Sequence, residues 1–464
     1  MIVQQGAPAA FLLRGQVVTP DQSFVGEVLV LGDTIACVAP DCSGATGAST
    51  ASVVDTHGII LPGLIDTHNH VLFDIFDETD WTPTHAYGNH NQWTSEPRYS
   101  ALVDAKQYLN GESHSPVNFN CEMEKYGEIK ALIAGTTSMV GAANPANKAC
   151  YGTLARTIDQ GPNGLPSDNV QVATLFPSAS SGNGVCANFD LLKTHAYLIH
   201  LGEGTDASAL NEFDKLTNLT TPVGCLDAPQ TTVVHGTAFG PPEFAVMAQN
   251  DMSLVWSPRS NVFLYGAGVD LSQTTDIPAA LAAGLNVSLA PDWSIGGSVN
   301  LLDELRFAHE VDASEWGDIL SPQLLTEMVT THPAQTLALS SVIGSIEVGK
   351  KADLVVISGD PSAPYDALLA ATPREVQLVM VGGVPLYGDP ALQPLAQTSP
   401  ACEAIDICCR PKFLCVAQPG TATNRFGESF ADIQSALVAG LADYDATSGS
   451  GYTFSPLAPL VKCE

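Results

Sequence analysis

Between residues 120 and 329 the chain alternates short β-branched runs with stretches of helical spacing. The strand-like runs are 136–140, 170–176, 196–200, 231–235, 253–256 and 286–290, and 64–67 upstream makes a seventh. Helical spacing fits 120–133, 151–158, 207–216, 242–249, 277–283, 301–311 and 322–329. Parallel neighbours need a long crossover between them, and a helix supplies it. The alternation therefore predicts a parallel α/β fold of the TIM-type (β/α)8 barrel class. A closed barrel takes eight strands; the glycine-containing stretch between Phe176 and Ala196 is where the reading expects the eighth.

The flanks differ in texture. Residues 10–61 read as short strands broken by Pro20-Asp21 and Gly32-Asp33, and 343–395 as a turn, a strand and a hairpin. We expect 1–61 and 343–395 to build one small β-sandwich from both ends of the chain, with 62–342 as the barrel. Residues 396–464 would be a cysteine-bearing extension with one helix, 430–444. Segment 72–117 has few regular features but many aromatics (Phe73, Phe76, Trp81, Tyr87, Trp93, Tyr99). So long a loop is usually functional, and its aromatics oppose disorder, so it is expected to form a lid or pocket wall.

Composition excludes several classes of partner. Asp plus Glu is 49 against 18 for Lys plus Arg, a net charge of −31. Such a surface repels nucleic acid and anionic membranes. No run approaches eighteen apolar residues, so no membrane span is expected. The expected partner is a small-molecule substrate, with a homo-oligomer left open. The 11 cysteines lack Cys-x-x-Cys spacing, which suits disulfides in an oxidising compartment better than metal binding. Chain order suggests Cys37–Cys42, Cys121–Cys150 and Cys186–Cys225. A periplasmic or extracellular location is expected, with any export signal already removed.

Chemistry-bearing side chains gather where strands end. An apolar run and a Pro62-Gly63 turn lead into Leu64-Ile65-Asp66-Thr67-His68-Asn69-His70. Alternation along a strand puts His68 and His70 on one face. A bare His-x-His is more often a polar strand end than a ligand pair. Here, however, His200 ends a middle strand with Glu203 three residues on, His235 ends the next, and Asp292 follows the last. In a parallel barrel the strand ends are where catalysis sits. Imidazoles plus one carboxylate and a water describe a catalytic zinc or iron site.

These segments, with Trp256-Ser257-Pro258-Arg259-Ser260-Asn261, Asp292-Trp293-Ser294 and the return at Gly344 to Leu354, resemble the amidohydrolase superfamily over roughly residues 10–390. The Ser-Pro-Arg-Ser-Asn stretch is similar to the deaminase and triazine-chlorohydrolase branch. The resemblance implies that His68, His70, His200 and Asp292 bind one divalent metal ion, zinc ahead of iron. It implies Asp292 as proton acceptor from water, Glu203 as shuttle to the leaving nitrogen, and His235 as stabiliser of developing charge. Binuclear relatives carry a bridging lysine on strand four. Lys193, the only lysine between Lys148 and His200, falls in an expected helix and is unsuited to that role.

The expected function is thus a metal-dependent hydrolase acting on a C–N bond other than an ordinary peptide bond. It would deaminate an aminated heterocycle or open a cyclic amide. A binuclear amidohydrolase of linear amides, dipeptides or carbamates is the alternative on the same fold; a catalytically silent secreted binding protein is the alternative of another class. Trp81, Trp256, Arg259 and Trp293 are expected near the substrate. His57, His85, His90, His114, His195, His309 and His332 read as surface or packing residues, with His85 and His90 the best-placed exceptions.

Overall fold

The computed structural model describes residues 1–112, 116–141, 154–159, 164–165, 170–396, 401–417 and 427–463. Among the described residues, eight short strands carry the α/β part. They are β1 (Leu64–Asp66), β2 (Thr136–Met139), β3 (Arg156–Thr157), β4 (Val170–Ala173), β5 (Ala196–Leu201), β6 (Thr231–His235), β7 (Ser253–Trp256) and β8 (Asn286–Leu289). They pair in chain order as two parallel arcs, β1-β2-β3 and β4-β5-β6-β7-β8. The arcs approach each other beyond β1 and β8, through a parallel bridge between Asn69 and Asp292. There the backbone N–H of His70 donates to the Asp292 carbonyl at 2.6 Å, and that of Asp292 to the His68 carbonyl at 3.2 Å. This junction fixes the first histidine pair against the aspartate.

Inward-facing residues of the strands form their own buried cluster: Ile65, Val170, Ala196, Leu198, Val234 and Val255, extended by Val140, Ile158 and Ala290. Their neighbours Tyr197, Ile199, Val233 and Leu254 face the helical layer and join the main core. This is the two-residue period of a strand. Ala334, Leu337, Leu339 and Ile343 complete the inner cluster.

The eighth strand is not where the sequence suggested. Residues 177–195 hold a helix, Ala179–Asp190, capped by the Ser178 side chain. The missing strand is the two-residue β3, inside a stretch expected to be helical. Its short length and polar residues, Arg156 and Thr157, hide it from a pattern search. They are kept there by buried partners: Thr157 donates to Glu124 Oε1 at 2.7 Å, and Arg156 pairs with Asp353.

Both flanks feed one sheet, ten-stranded among the described residues, in which Ser52–Pro62 lies against Leu354–Ile357, antiparallel. Ala401–Asp406 and Pro411–Ala417, in the expected extension, add a hairpin to its edge beside Val384–Gly388. That hairpin was not expected; cysteines at the paired positions Cys402 and Cys415 obscure its strand pattern and form a disulfide. Cys37–Cys42 and Cys186–Cys225 are bonded as chain order suggested, and Cys408–Cys463 is a further bridge. Cys121 is disulfide-bonded; Cys150, its expected partner, lies outside the described residues. Cys409 is free and exposed. Segment 72–117 is more regular than expected, with a 13-residue helix, Pro97–Leu109. Among the described residues no helix is long and apolar enough to cross a membrane.

Candidate active site

Four strand ends deliver their side chains to one point. His200 continues the inward parity of Ala196 and Leu198 on β5. His235 would point outward by the same rule, since Val234 before it is inward. Its φ of +71° breaks the alternation, an uncommon conformation for a side-chain-bearing residue. Asp292 also lies in the left-handed region, at φ +69°. Backbone strain of this kind collects where function holds it.

Ligating atoms of His68, His200, His235 and Asp292 all lie within 4.8 Å of one another. His68 Nε2 is 2.8 Å from Asp292 Oδ1, and His70 Nε2 is 3.4 Å from the same oxygen. The rings of His68 and His200 stand 4.6 Å apart, those of His70 and His200 5.3 Å. Burial pushes His68 and His70 down to about 3 and His200 to about 4. It also lowers His235 well below the usual imidazole value and raises Asp292. Burial thus disfavours the charged form of every ring in the cluster, and neutral imidazole is the form that binds metal.

His200 and His235 are set as opposite tautomers. His200 Nδ1 donates to the Ala173 carbonyl at 3.2 Å, so its Nε2 carries a lone pair. That Nε2 is buried with no hydrogen-bond partner among the described residues. An orphaned acceptor aimed at two histidines and an aspartate fits a cation, with the Ala173 carbonyl as the outer partner that metal-binding imidazoles use. His235 is set by a chain of donors. Trp256 Nε1 donates to Thr274 Oγ1 at 2.9 Å, and Thr274 Oγ1 to Asn261 Oδ1 at 3.2 Å. The Asn261 amide is thereby oriented with Nδ2 toward His235 Nδ1, 3.3 Å away. With Nδ1 accepting, His235 keeps its proton on Nε2 and offers a donor.

Glu203 is buried beside this cluster. Its Oε1 accepts from Tyr265 Oη at 3.0 Å, and its Oε2 lies 3.4 Å from His90 Nδ1. Asp292 Oδ2 accepts from Ser260 Oγ, which also accepts from Trp293 Nε1 at 3.2 Å. Tyr265, Asn261, Ser260 and His90 were not assigned roles from sequence. Asn261 and Tyr265 stand four apart on the helix Pro258–Tyr265, hence on one face; that spacing was the available signal.

The four residues expected near the substrate separate. Trp293 sits against the cluster, its ring 6.3 Å from His70. Trp81 lies behind it in a cluster of tilted and edge-on rings with Trp93 and Tyr99 and donates to Glu96 Oε2 at 3.1 Å. Trp256 does not face the site. Val255 before it is inward, so Trp256 turns to the helical layer and packs on Trp316 at 5.5 Å. Arg259 reaches no ligand: Nε donates to Ser298 Oγ at 2.9 Å, and its guanidinium lies 4.3 Å from the Phe307 ring centre. It lines a separate cavity of about 590 Å³ with Phe263 and Ile295.

Comparison with known proteins gives the family. The sequence model of the amidohydrolase family matches residues 59–386. A 5-methylthioadenosine/S-adenosylhomocysteine deaminase of Moorella thermoacetica is 22% identical over 395 residues, covering 77% of this chain and 89% of its own length. A 5'-deoxyadenosine deaminase of Methanobrevibacter smithii is 26% identical over 370 residues, covering 72% and 79%. Among solved structures, an adenosine deaminase from Xanthomonas campestris with bound zinc superposes with a TM-score of 0.62 at 19% identity, covering 82% of this chain and 93% of that one. The chain belongs to the amidohydrolase family and is a metal-dependent hydrolase.

Proposed function

We propose that the protein hydrolytically removes an amino group from an aminated heterocycle, at a single divalent metal, zinc ahead of iron. His68, His70, His200 and Asp292 would hold the ion, whose Lewis acidity brings the pKa of a water to about 7. The observation that carries the reading is the opposite setting of His200 and His235, one lone pair and one donor directed to the same point. Asp292, held through Oδ2 by Ser260, accepts the proton of the attacking water. Glu203 would take that proton over from Asp292 and deliver it to the departing nitrogen, so that both carboxylates end as they began. His235 Nε2–H steadies the charge that grows on the attacking oxygen. Trp293 and Phe73, whose ring is also 6.3 Å from His70, present apolar faces suited to a flat ring.

A single metal is favoured because β4 carries no lysine and Lys193 is exposed on the approach to β5. The deaminase names of the relatives support the amino-group reading over cyclic-amide opening. The disulfides favour a periplasmic or extracellular home. Elemental analysis of purified protein, with ammonia release from a panel of aminopurines, aminopyrimidines and aminotriazines, tests the proposal. About one equivalent of zinc and ammonia from at least one compound are expected. Two metals per chain, or a metal-free active enzyme, would refute it.

A further inference from the structure

His90, read from sequence as a packing or surface residue, stands between two carboxylates. Its Nδ1 is 3.4 Å from Glu203 Oε2 and its Nε2 is 3.1 Å from Glu212 Oε1. Glu212 is itself fixed, its Oε2 accepting the Gly202 backbone N–H at 2.9 Å. A ring that meets a carboxylate at each nitrogen carries a proton on each, and so is a cation. The bonds to Glu203 and then Glu212 push its pKa up to about 10. Asp206 and His235 also feel this charge. Without that cation the buried Glu203 and Glu212 would have no opposite charge between them.

The ring reaches this place because the aromatic segment is stitched to the loop after β5. The backbone N–H of His90 donates to the Glu203 carbonyl at 3.2 Å, and that of Thr205 to the Gly88 carbonyl at 2.8 Å. Asn89 Nδ2 donates to Asp206 Oδ2 at 2.6 Å. Gly204, at φ +153°, allows the approach: a Cβ there would stand 2.4 Å from the Gly88 carbonyl oxygen. A second tie runs through Trp93, whose Nε1 donates to Tyr265 Oη at 3.4 Å. Both oxygens of Glu203 are thus held through contacts to one segment.

We propose that His90 is a positioning residue for Glu203: its imidazolium, clamped against Glu212, pairs its charge with Glu203 and holds that side chain in place, and makes the shuttle depend on the seating of residues 88–93 over the barrel. This rests on Glu203 being the proton shuttle. The test uses the zinc-loaded full chain labelled with 15N-histidine, His90 being identified by its loss in His90→Phe. Both His90 nitrogens are expected to be protonated at pH 7.5. In Glu212→Gln the deprotonation midpoint should fall by about 1 to 3 pH units. In turnover, His90→Phe should lower kcat about 10- to 100-fold, leave KM nearly unchanged, and move the acidic limb of the kcat profile upward. Should His90→Phe fail to fold, the polar but neutral His90→Gln carries both the signal assignment and the kinetic test, with a shift of the same sign. A neutral His90 ring at pH 7.5, or an unmoved acidic limb, overturns the proposal. If the wild type turns over nothing in the panel, the substrate reading falls, and the ring measurement alone decides the role of His90.

Discussion

His200 and His235 stand with ring centres 5.1 Å apart, one turned to give a lone pair and the other a proton. The division depends on Asn261, whose amide donates to His235 Nδ1. Asn261→Asp would instead accept there, moving the His235 proton to Nδ1 and removing the donor from the site. We expect kcat to fall by about 100-fold or more, as wrong-tautomer variants of other enzymes do, with metal content unchanged. His200→Ala should lose metal and activity together. Metal stoichiometry and kcat, measured on both variants, separate the two roles.

Glu203→Gln keeps the shape of the side chain and its contact with Tyr265 but cannot take a proton. We expect kcat to drop roughly 10²- to 10⁴-fold, with zinc retained. A variant that lost its metal in parallel would make Glu203 part of the metal's support rather than the shuttle.

Gly297 lies under the loop that carries Asp292 and Trp293. A Cβ there would stand 1.8 Å from the Pro291 carbonyl oxygen and 2.6 Å from that of Trp293. Gly297→Ala must therefore displace the backbone on either side of Asp292. Overpacking at such sites costs about 1 to 3 kcal/mol. A lower melting temperature and weaker metal retention are expected together, read by thermal unfolding with and without added zinc.

Glu304 is buried, and burial pushes its pKa up to about 7 from an ordinary 4.5. One of its oxygens, Oε2, has no hydrogen-bond partner among the described residues. A raised folded-state pKa contributes stability that is present below pH 4.5 and lost as pH rises through 7. Glu304→Gln should remove that dependence. Near pH 5 variant and wild type should differ little, while at pH 8.5 the variant should be more stable by roughly 1 to 3 kcal/mol. Urea unfolding at the two pH values decides it.

Seven of the eight barrel strands were legible because each has enough β-branched residues to show against the helices around it. β3 was not: two residues carry no period, and its place depends on Glu124, Glu128 and Asp353, which come from distant parts of the chain. Residues 97–109 escaped for a related reason. Ala101, Leu102, Ala105 and Leu109 are their buried residues, but the surrounding aromatics and polar residues blur that face.

Residue identity alone was enough to single out His68, His70, His200, Glu203, His235 and Asp292 as candidates, since each stands at or just after a recognisable strand and strand ends share one side of a parallel barrel. Identity could not say which imidazole nitrogen holds a proton, that Trp256 bonds Thr274 and packs on Trp316, or that His90 meets Glu203 across 113 residues. Those facts depend on contacts between segments remote in sequence. A tautomer is chosen by whichever group happens to face each nitrogen, and only the folded chain supplies that neighbour.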